Sequence, residues 1–507
     1  MMQLTALPVL IPLIAGFLLI FARIGGIRLQ RALSLLIIIT LIIVSVELVK
    51  TSLTGDYQVY LLGNWIAPFG IVLVLDQLSA LMVLITSLLA LGAAWYAIAT
   101  KIDEKGSHFH VLFQFQLLGL NGAFMTGDLF NLFVFFEVLL LASYGLLLHG
   151  SGPQRTKAGL HYVVINLIGS TLFLFAVGAL YGALGTLNMA DMAAKLSQAP
   201  AENLGLISAA GLLLLVVFGI KAAMFPLYLW LPNAYSQTSA PVAALFAIMT
   251  KVGIYAIIRV HGTVFGDEAG QLADYYAPWV LGLGLVTLFL AALGVMASRG
   301  LREQVAYLVL ASVAILLIGI GINTAEALSA TLYYLIHSTL IAGGMFLLAD
   351  VIARGRGHYA DRFESGPNMP SAILIGSVFM FAAVAATGMP PLSGFIGKLL
   401  ILSAALDHAW FAVILATVLI AGLIMIISLA RAGSLLFYNT LSTEQTKESG
   451  EPLNKSAFIA IIGLFMVSPI LVIFANPIGF FTESIALQQT NSAAYIQAVL
   501  STSAITE

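Results

Sequence analysis

The chain has 507 residues, of which 61% are hydrophobic and only 9% are charged, and its formal net charge is -2. Soluble domains carry about 25% charged residues, so this composition excludes a soluble enzyme, a disordered protein and a nucleic-acid-binding protein. Because the chain contains no cysteine, a disulfide framework, a thiolate metal site and an iron–sulfur cluster are also excluded. The composition predicts an integral membrane protein.

Runs of roughly 20 mostly apolar residues predict about 14 membrane-spanning helices. Their approximate limits are 4–22, 31–49, 71–99, 110–127, 129–148, 158–181, 206–231, 240–262, 275–297, 304–322, 328–353, 371–404, 411–439 and 456–475. The runs are apolar on all sides, which predicts an all-α fold and not a barrel of alternating strands. No basic residue and no small-residue cleavage site accompany the first run, so we interpret it as a span and not as a signal peptide.

Lysine and arginine are unevenly distributed over the predicted connections. Fifteen lie on one side: Arg23, Arg28, Arg31, Lys101, Lys105, Arg155, Lys157, Arg299, Arg302, Arg354, Arg356, Arg362, Arg431, Lys447 and Lys455. The other side has three, namely Lys50, Lys195 and Arg259. Positive charge collects on the cytoplasmic side of a membrane, so the larger set is predicted to be cytoplasmic. An even number of spans then places both termini outside.

Four charged residues lie near the middle of apolar runs: Glu137, Lys221, Lys251 and Lys398. Each costs roughly 2.5–3.5 kcal/mol on the insertion scale unless it pairs or contacts water. One interpretation is a set of static ion pairs between helices, but three lysines and one glutamate cannot pair one to one. A proton or ion pathway is the other, and it suits lysine, which loses its proton readily when it is buried, whereas arginine does not.

Two of the lysine-containing runs are interrupted by proline and glycine. Lys221 is followed by Pro226 and Pro232, and Pro390-Pro391 and Gly394 precede Lys398. Proline removes a helix hydrogen bond, and unwound backbone at membrane depth is tolerated only when it is buried or beside water. Paired interruptions in two halves are typical of inverted-repeat transporters. The two lysines are five predicted spans apart, an odd number that inverts one half relative to the other.

Other polar residues lie within or near the predicted spans. His337 is in the middle of the span before Lys398, where a satisfied core histidine and a proton relay are both compatible with the sequence. Asp76 and Asp350 lie near span ends, where we expect them to reach headgroup water. Gln114, Gln116 and Asn121 make the fourth span unusually polar, and we expect interhelical hydrogen bonds from them.

The stretch Gly219-Ile-Lys221-Ala-Ala-Met-Phe-Pro226-Leu-Tyr-Leu-Trp-Leu-Pro232-Asn-Ala-Tyr235 resembles a signature of the antiporter-like subunits. These are shared by respiratory complex I and the Mrp monovalent cation/proton antiporters. The Phe-rich run around Glu137, the segment Met-Thr-Lys251-Val-Gly-Ile-Tyr and the segment Pro390-Pro391-Leu-Ser-Gly-Phe-Ile-Gly-Lys398 are similar as well. Asn233 and Tyr235 replace the Asp and His that are usual in complex I, and here the chain looks like the D-type subunits of Mrp antiporters.

The resemblance implies 14 transmembrane helices with a five-plus-five inverted repeat and two broken helices. The corresponding segments are 1–109 for helices 1–3, 110–262 for the first repeat, 263–440 for the second, and 441–507 for helix 14 and the tail. By family role, Glu137 and Lys221 form a modulating pair, Lys251 carries protons along the central axis, His337 bridges, and Lys398 is the exit-side carrier.

The resemblance also implies partners: the other subunits of a hetero-oligomeric Mrp complex, protons, Na⁺ or another monovalent cation, and membrane lipid, in the bacterial cell (inner) membrane. No nucleic acid and no cofactor are expected. The sequence contains no recognisable nucleophile or nucleotide-binding loop, so we do not predict an enzyme. The alternatives are a proton-pumping subunit of complex I or of a membrane-bound hydrogenase, and a structural subunit that moves nothing. A self-sufficient solute carrier ranks last, because the sequence shows no polar pocket of metabolite size.

Overall fold

The computed structural model describes residues 2–439 and 450–502. Met1, Lys447, the first residues of the predicted segment 441–507 and the end of its tail lie outside the described residues. The first part of the chain forms α1 Met2–Ala22, α2 Ile27–Ser52, β1 Gln58–Leu61, β2 Val72–Leu75, α3 Gln77–Ala99, α4 Phe109–Met125, α5 Leu129–Leu147, α6 Pro153–Leu184, α7 Met189–Leu196, α8 Ala201–Ala222, α9 Trp230–Gln237, α10 Ala240–Phe246, α11 Met249–Ala256 and α12 Gly262–Val264. The rest forms α13 Ala277–Ala297, α14 Leu301–Ile322, α15 Ala325–Gly355, α16 Ala372–Thr387, α17 Ser393–Ala404, α18 Phe411–Gly433, α19 Lys455–Phe465, α20 Val467–Ile473, α21 Ala475–Gln489 and α22 Ser492–Leu500.

Twelve helical stretches of the described chain are long and apolar enough to cross a membrane. The prediction of a multi-pass helical membrane protein is therefore confirmed. Two predicted spans are not among the twelve: 110–127 is the 17-residue helix α4, and 371–404 consists of the two shorter apolar helices α16 and α17. The predicted span 206–231 ends earlier than expected, because α8 stops at Ala222.

Burial separates the inner helices from the outer ones. In an 18-residue apolar window of each stretch, all residues of Ala240–Val264 and 94% of the residues of α14 and α15 are buried inside the protein. In the corresponding windows of α2 and α18 only 28% and 33% of the residues are buried, because many of their apolar side chains face outward. Lys251 and His337 lie on two of the innermost helical stretches, which places them in the interior of the protein.

The start of the predicted span 71–99 is wrong. Residues 72–75 form strand β2, which pairs antiparallel with β1 in a two-stranded hairpin. Helix α3 begins only at Gln77, where the Asp76 carboxylate caps it by accepting the Ser79 backbone N–H at 2.8 Å. A run of Val and Leu is apolar enough to resemble a helix, but Asp76 is a strong helix N-cap and marks the boundary.

The expectation that Asp76 and Asp350 reach headgroup water is wrong, as is the placement of Arg259 in a connection. Arg259 lies in a π-helical turn after α11 and is 2% exposed; its guanidinium lies 2.7 Å from the carboxylate of Asp76, which is fully buried. Asp350 is 6% exposed and contacts Arg302 at 2.5 Å and Arg354 at 2.8 Å. Both aspartates are buried because arginines from the same protein supply the counter-charge that water would otherwise provide.

The polar residues of α4 fulfil the expectation only in part. Asn121 makes an interhelical hydrogen bond, donating its amide N–H to the Pro8 carbonyl of α1 at 3.0 Å. Gln114 and Gln116 are both completely buried. Their amide nitrogens and oxygens have no hydrogen-bond partner among residues 2–439 and 450–502, so the predicted interhelical bonds of these two glutamines are absent there.

Candidate functional site

Glu137 and Lys221 are connected through one helix that lies beside both. Helix α6 carries Asn166 and Ser170 one turn apart. The Ser170 hydroxyl donates to the Glu137 carboxylate, and Lys221 Nζ donates to Asn166 Oδ1 at 3.0 Å. Asn166 in turn donates its N–H to the Tyr162 carbonyl at 2.8 Å, which holds its oxygen toward the lysine. The two charged groups thus face adjacent polar side chains of α6 and form no direct ion pair.

Lys221 lies at the end of α8, where the helix stops. The next residue but one, Ala223, adopts a left-handed conformation with φ of 59°. The Ile220 carbonyl accepts both the Ala223 backbone N–H at 3.2 Å and Trp230 Nε1 at 3.1 Å. Helix α11 crosses here: a Cβ on Gly253 would lie 2.5 Å from the Ala222 backbone nitrogen. Glycine at 253 therefore permits the close approach of the two lysine-bearing segments.

Lys251 is completely buried and donates to the Ser312 hydroxyl of α14 at 3.2 Å. Ser312 in turn donates to the Val309 carbonyl of its own helix at 2.7 Å. Because the serine proton is used in that bond, its oxygen is free to accept from the lysine. The central lysine is therefore held by a neutral acceptor.

One small cavity adjoins Lys221, and another adjoins Ser312, the acceptor of Lys251. One, of about 10 Å³, is lined by Lys221, Asn166 and residues of α11 that flank Lys251, Met249 and Val252. The other, of about 20 Å³, is lined by Ser312, His337 and Ser338 among others. These volumes count the space open to the centre of a water molecule, and about 10–15 Å³ of such space holds one water. The second cavity is large enough for one water between the partner of Lys251 and His337.

His337 is 1% exposed, and both ring nitrogens have partners. Its Nε2 lies 3.1 Å from the Ala385 carbonyl and its Nδ1 lies 2.7 Å from the Ser393 hydroxyl. A carbonyl only accepts, so Nε2 carries the proton and Nδ1 of the neutral ring accepts from Ser393. Ser393 Oγ also lies 2.9 Å from Ser468 Oγ of α20. This arrangement can pass a proton between the histidine and two hydroxyls.

Lys398 is 8% exposed and donates to the Thr387 carbonyl at 2.7 Å. That carbonyl belongs to the last residue of α16, whose C-terminal end carries a partial negative charge. Gly388 follows with φ of 74°, and a Cβ there would lie 2.9 Å from Lys398 Cδ. The gap between α16 and α17 therefore supplies the acceptor for the lysine, and the glycine leaves room for its side chain.

Four of the five predicted residues are buried, and Glu137 is partly buried, but the groups that contact them were not predicted. Within the described ranges, none of the three lysines lies in an ion pair. Their acceptors and the other neutral partners of the site are Asn166, Ser170, Ser312, Thr387, Ser393 and Ser468. Only Asn166 and Ser170 had a signal in the sequence, since polar residues spaced by four on an apolar helix share one face.

A family model described as NADH:quinone oxidoreductase/Mrp antiporter, TM matches residues 126–424. Among curated proteins, a probable K(+)/H(+) antiporter D-type subunit of Rhizobium meliloti is 44% identical over 428 residues, which cover 80% of this chain and 79% of that protein. The Na(+)/H(+) antiporter D-type subunit of Alkalihalophilus pseudofirmus is 36% identical over 504 residues, covering 99% of this chain and 100% of that protein.

Solved structures show the same architecture. A chain of the Mrp complex from Dietzia sp. is 27% identical, with a TM-score of 0.85, and the match covers 99% of this chain and 100% of that chain. A chain of respiratory complex I from Thermus thermophilus, 23% identical, matches with a TM-score of 0.77 over 97% of this chain and 99% of that chain. The second match shows a shared fold only.

Proposed function

The chain belongs to the NADH:quinone oxidoreductase/Mrp antiporter family of membrane proteins, and from this premise we propose that it is the proton-translocating subunit of a multisubunit monovalent cation/proton antiporter. It acts as a transporter and not as an enzyme, in the bacterial cell membrane, together with other subunits. The curated relatives are D-type antiporter subunits, matched over 79–100% of their length, which favours this over a role in complex I. One is named for K⁺ and the other for Na⁺, so both ions belong in the assay.

The observation that carries the proposal is a set of buried ammonium groups held by neutral acceptors. Lys221, Lys251 and Lys398 donate to an amide oxygen, a hydroxyl and a backbone carbonyl. A neutral acceptor leaves a lysine free to give up its proton, whereas a buried carboxylate partner would hold the charge in place. This supports a conducting role and speaks against static ion pairs that only join helices.

In the proposed route, protons move along Lys251, past Ser312 and the adjoining cavity to His337, and leave by Lys398. The histidine and Ser393 provide donors and acceptors in the order that a relay needs. Glu137 and Lys221 modulate the route. Bringing these two charges to about 4 Å would stabilise the protonated lysine by about 4 kcal/mol at an effective dielectric near 20. In the structure Glu137 and Lys221 contact different side chains of α6 and form no ion pair, so their attraction is weaker than it would be at 4 Å.

The finer architecture belongs to the same proposal: 14 transmembrane helices, three initial ones in 1–109, inverted repeats in 110–262 and 263–440, and a last helix with its tail in 441–507. The helix ends at Ala222 and Thr387 support one broken helix in each repeat. Lys221 lies just before the end of α8, and Lys398 lies in α17, after the gap that follows α16. The proposal also places both termini outside. Because Arg259 is buried, it no longer counts among the charges of the connections, and the excess of Lys and Arg on the predicted cytoplasmic side becomes larger.

The proposal is tested in vesicles that contain the chain with its partner subunits. An imposed proton gradient should dissipate when Na⁺ or K⁺ is added. Glu137→Gln should abolish this while the complex still assembles, because glutamine keeps shape and hydrogen bonding but removes the charge. Thr171→Val is the matched control, since Thr171 is exposed on the neighbouring helix and bonds only within it. Near-normal antiport in Glu137→Gln vesicles contradicts the modulating role, and absence of antiport in the unaltered complex contradicts the proposed function.

A further inference from the structure

The fourth helix contains buried polar groups that the lysine route does not use. His110 Nδ1, both amide atoms of Gln114 and Asn121 Oδ1 have no hydrogen-bond partner anywhere in the described ranges. All three residues are at most 1% exposed. A protein interior seldom retains several such atoms without partners, because each is deprived of water and gains nothing in return.

These residues form one polar column along α4. His110, Gln114 and Asn121 are spaced by four and seven residues, so they share one face of the helix. From His110 to Asn121 the helix rises about 16 Å, which is half of the roughly 30 Å hydrocarbon core. Gln116 is buried and unpartnered too, but it lies about 200° around the helix from Gln114 and is outside the column.

The lower end of the column is an ion pair at the membrane surface. Arg31 Nε lies 2.6 Å from the Asp103 carboxylate, and His110 Nε2 contacts the same carboxylate at 3.2 Å. Burial opposes ionisation of Asp103, but the hydrogen bonds from Arg31 and His110 lower the pKa of its carboxyl to about 2. Asp103 therefore remains an anion beside the histidine, and Nδ1 on the other side of the ring has no partner among the described residues.

The upper end meets a carbonyl that has lost its helix partner. Pro8 and Pro12 both lie inside α1. In a regular helix the residue at 12 would donate to the carbonyl at 8, but proline has no N–H. Asn121 of α4 donates to this Pro8 carbonyl at 3.0 Å. The column thus connects the ion pair at the membrane surface to the Pro8 carbonyl of α1, about halfway across the membrane. Polar atoms without partners among the described residues lie between the two ends.

We propose that this column lines a second hydrated path for protons, distinct from the lysine route, leading from Asp103 past His110 and Gln114 to Asn121. Bound water would satisfy the orphaned atoms, since a buried water makes about three hydrogen bonds to such groups. A histidine beside a fixed carboxylate can accept a proton on one ring nitrogen and release it from the other. The proposal rests on the proposed proton-translocating function and its orientation, in which Asp103 is cytoplasmic.

The test compares two identical substitutions in the same helix. Gln114→Leu should slow antiport of the assembled complex about tenfold, equivalent to about 1.4 kcal/mol in the barrier. Gln116→Leu, which also removes a buried unpartnered amide but lies outside the column, should leave the rate unchanged. A merely structural role predicts that both variants transport normally and are at least as thermally stable as the parent. That result, or an equal loss of rate in both variants, overturns the proposal.

A second measurement does not depend on transport. The chain has no cysteine, so a single thiol can be followed without background from this chain. Gln114→Cys should react with aqueous silver ion, which reaches the thiol only through water, whereas the equally buried Leu120→Cys on another face should not. Equal reactivity of the two thiols, or none in either, refutes the hydrated path. If Glu137→Gln is inactive while Gln114→Leu transports normally, the column proposal fails and the proposed function stands.

Discussion

The bond from Lys221 to Asn166 gives the most direct test of how α6 takes part in proton movement. Asn166→Leu keeps the approximate volume but removes the acceptor at 3.0 Å from Nζ. A hydrogen bond to a charged group is worth about 1.5–3 kcal/mol, which corresponds to a change of about 10- to 150-fold in the population of the protonated lysine. If that population limits turnover, antiport should fall by a factor in this range while the assembled complex remains in the membrane.

The assay is dissipation of a proton gradient on adding Na⁺ or K⁺, normalised to assembled complex. Thr171→Val serves as the control on the same helix, since its hydroxyl bonds only to the Leu167 carbonyl. A double-mutant cycle with Ser170→Ala, which removes the hydroxyl that donates to Glu137, tests whether α6 couples the two charged groups. Residues in one network show a coupling energy of about 0.5–3 kcal/mol, and independent residues do not. Transport by Asn166→Leu at the rate of Thr171→Val refutes the role of α6.

Three further outcomes follow from named contacts. Lys398→Arg should be nearly as inactive in vesicles as Lys398→Ala although the complex assembles, because guanidinium keeps its proton. Lys221→Arg should lower the antiport rate less. A near-normal rate for Lys398→Arg would show that Lys398 is a fixed charge. Gly253→Ala should lower the thermal stability of the complex by about 1–3 kcal/mol through its clash with Ala222, whereas Gly178→Ala, with nothing within 4 Å of the added Cβ, should not; equal stability contradicts the close crossing. A thiol at the exposed His358 should be labelled from the cytoplasm and one at the exposed Glu202 from outside, and the opposite pattern reverses the orientation.

The apolar runs and the in-span charges could be predicted from the sequence because their signals are local. A stretch of twenty apolar residues has few fates other than a membrane helix, and twelve such helices are present in the described chain. Lys251 stands out in its span for the same reason. In each case one short window of sequence contains the information.

The partners of those charges could not be predicted, because they come from distant parts of the chain. Ser312 is 61 residues from Lys251 and Ser468 is 75 residues from Ser393, and a serine in an apolar span looks the same whether or not it meets a lysine. The same limit explains the error at Asp76: its partner Arg259 is 183 residues away. Asp76 lies near the end of a predicted span, which suggested contact with headgroup water. Only the packing of α3 against the segment after α11 shows that it forms a buried ion pair.

The protein distributes its buried cations in two ways. Where a buried or partly buried cation contacts a buried carboxylate, the cation is arginine: Arg259 at Asp76, and Arg302 with Arg354 at Asp350. Where the acceptor is neutral and the cation lies within an apolar helix, the cation is lysine, as at Lys221, Lys251 and Lys398. The buried Arg356 also donates to backbone carbonyls, but it follows the last residue of α15 and lies outside the helix. Arginine stays charged at any accessible pH, so it suits a fixed joint between helices, whereas a lysine that faces only an amide, a hydroxyl or a carbonyl can become neutral without abandoning a buried anion. If the lysines served only to join helices, nothing would favour lysine over arginine at all three sites. Within the apolar helices, the division by residue type therefore supports, independently of family resemblance, the proposal that these lysines can change their protonation state.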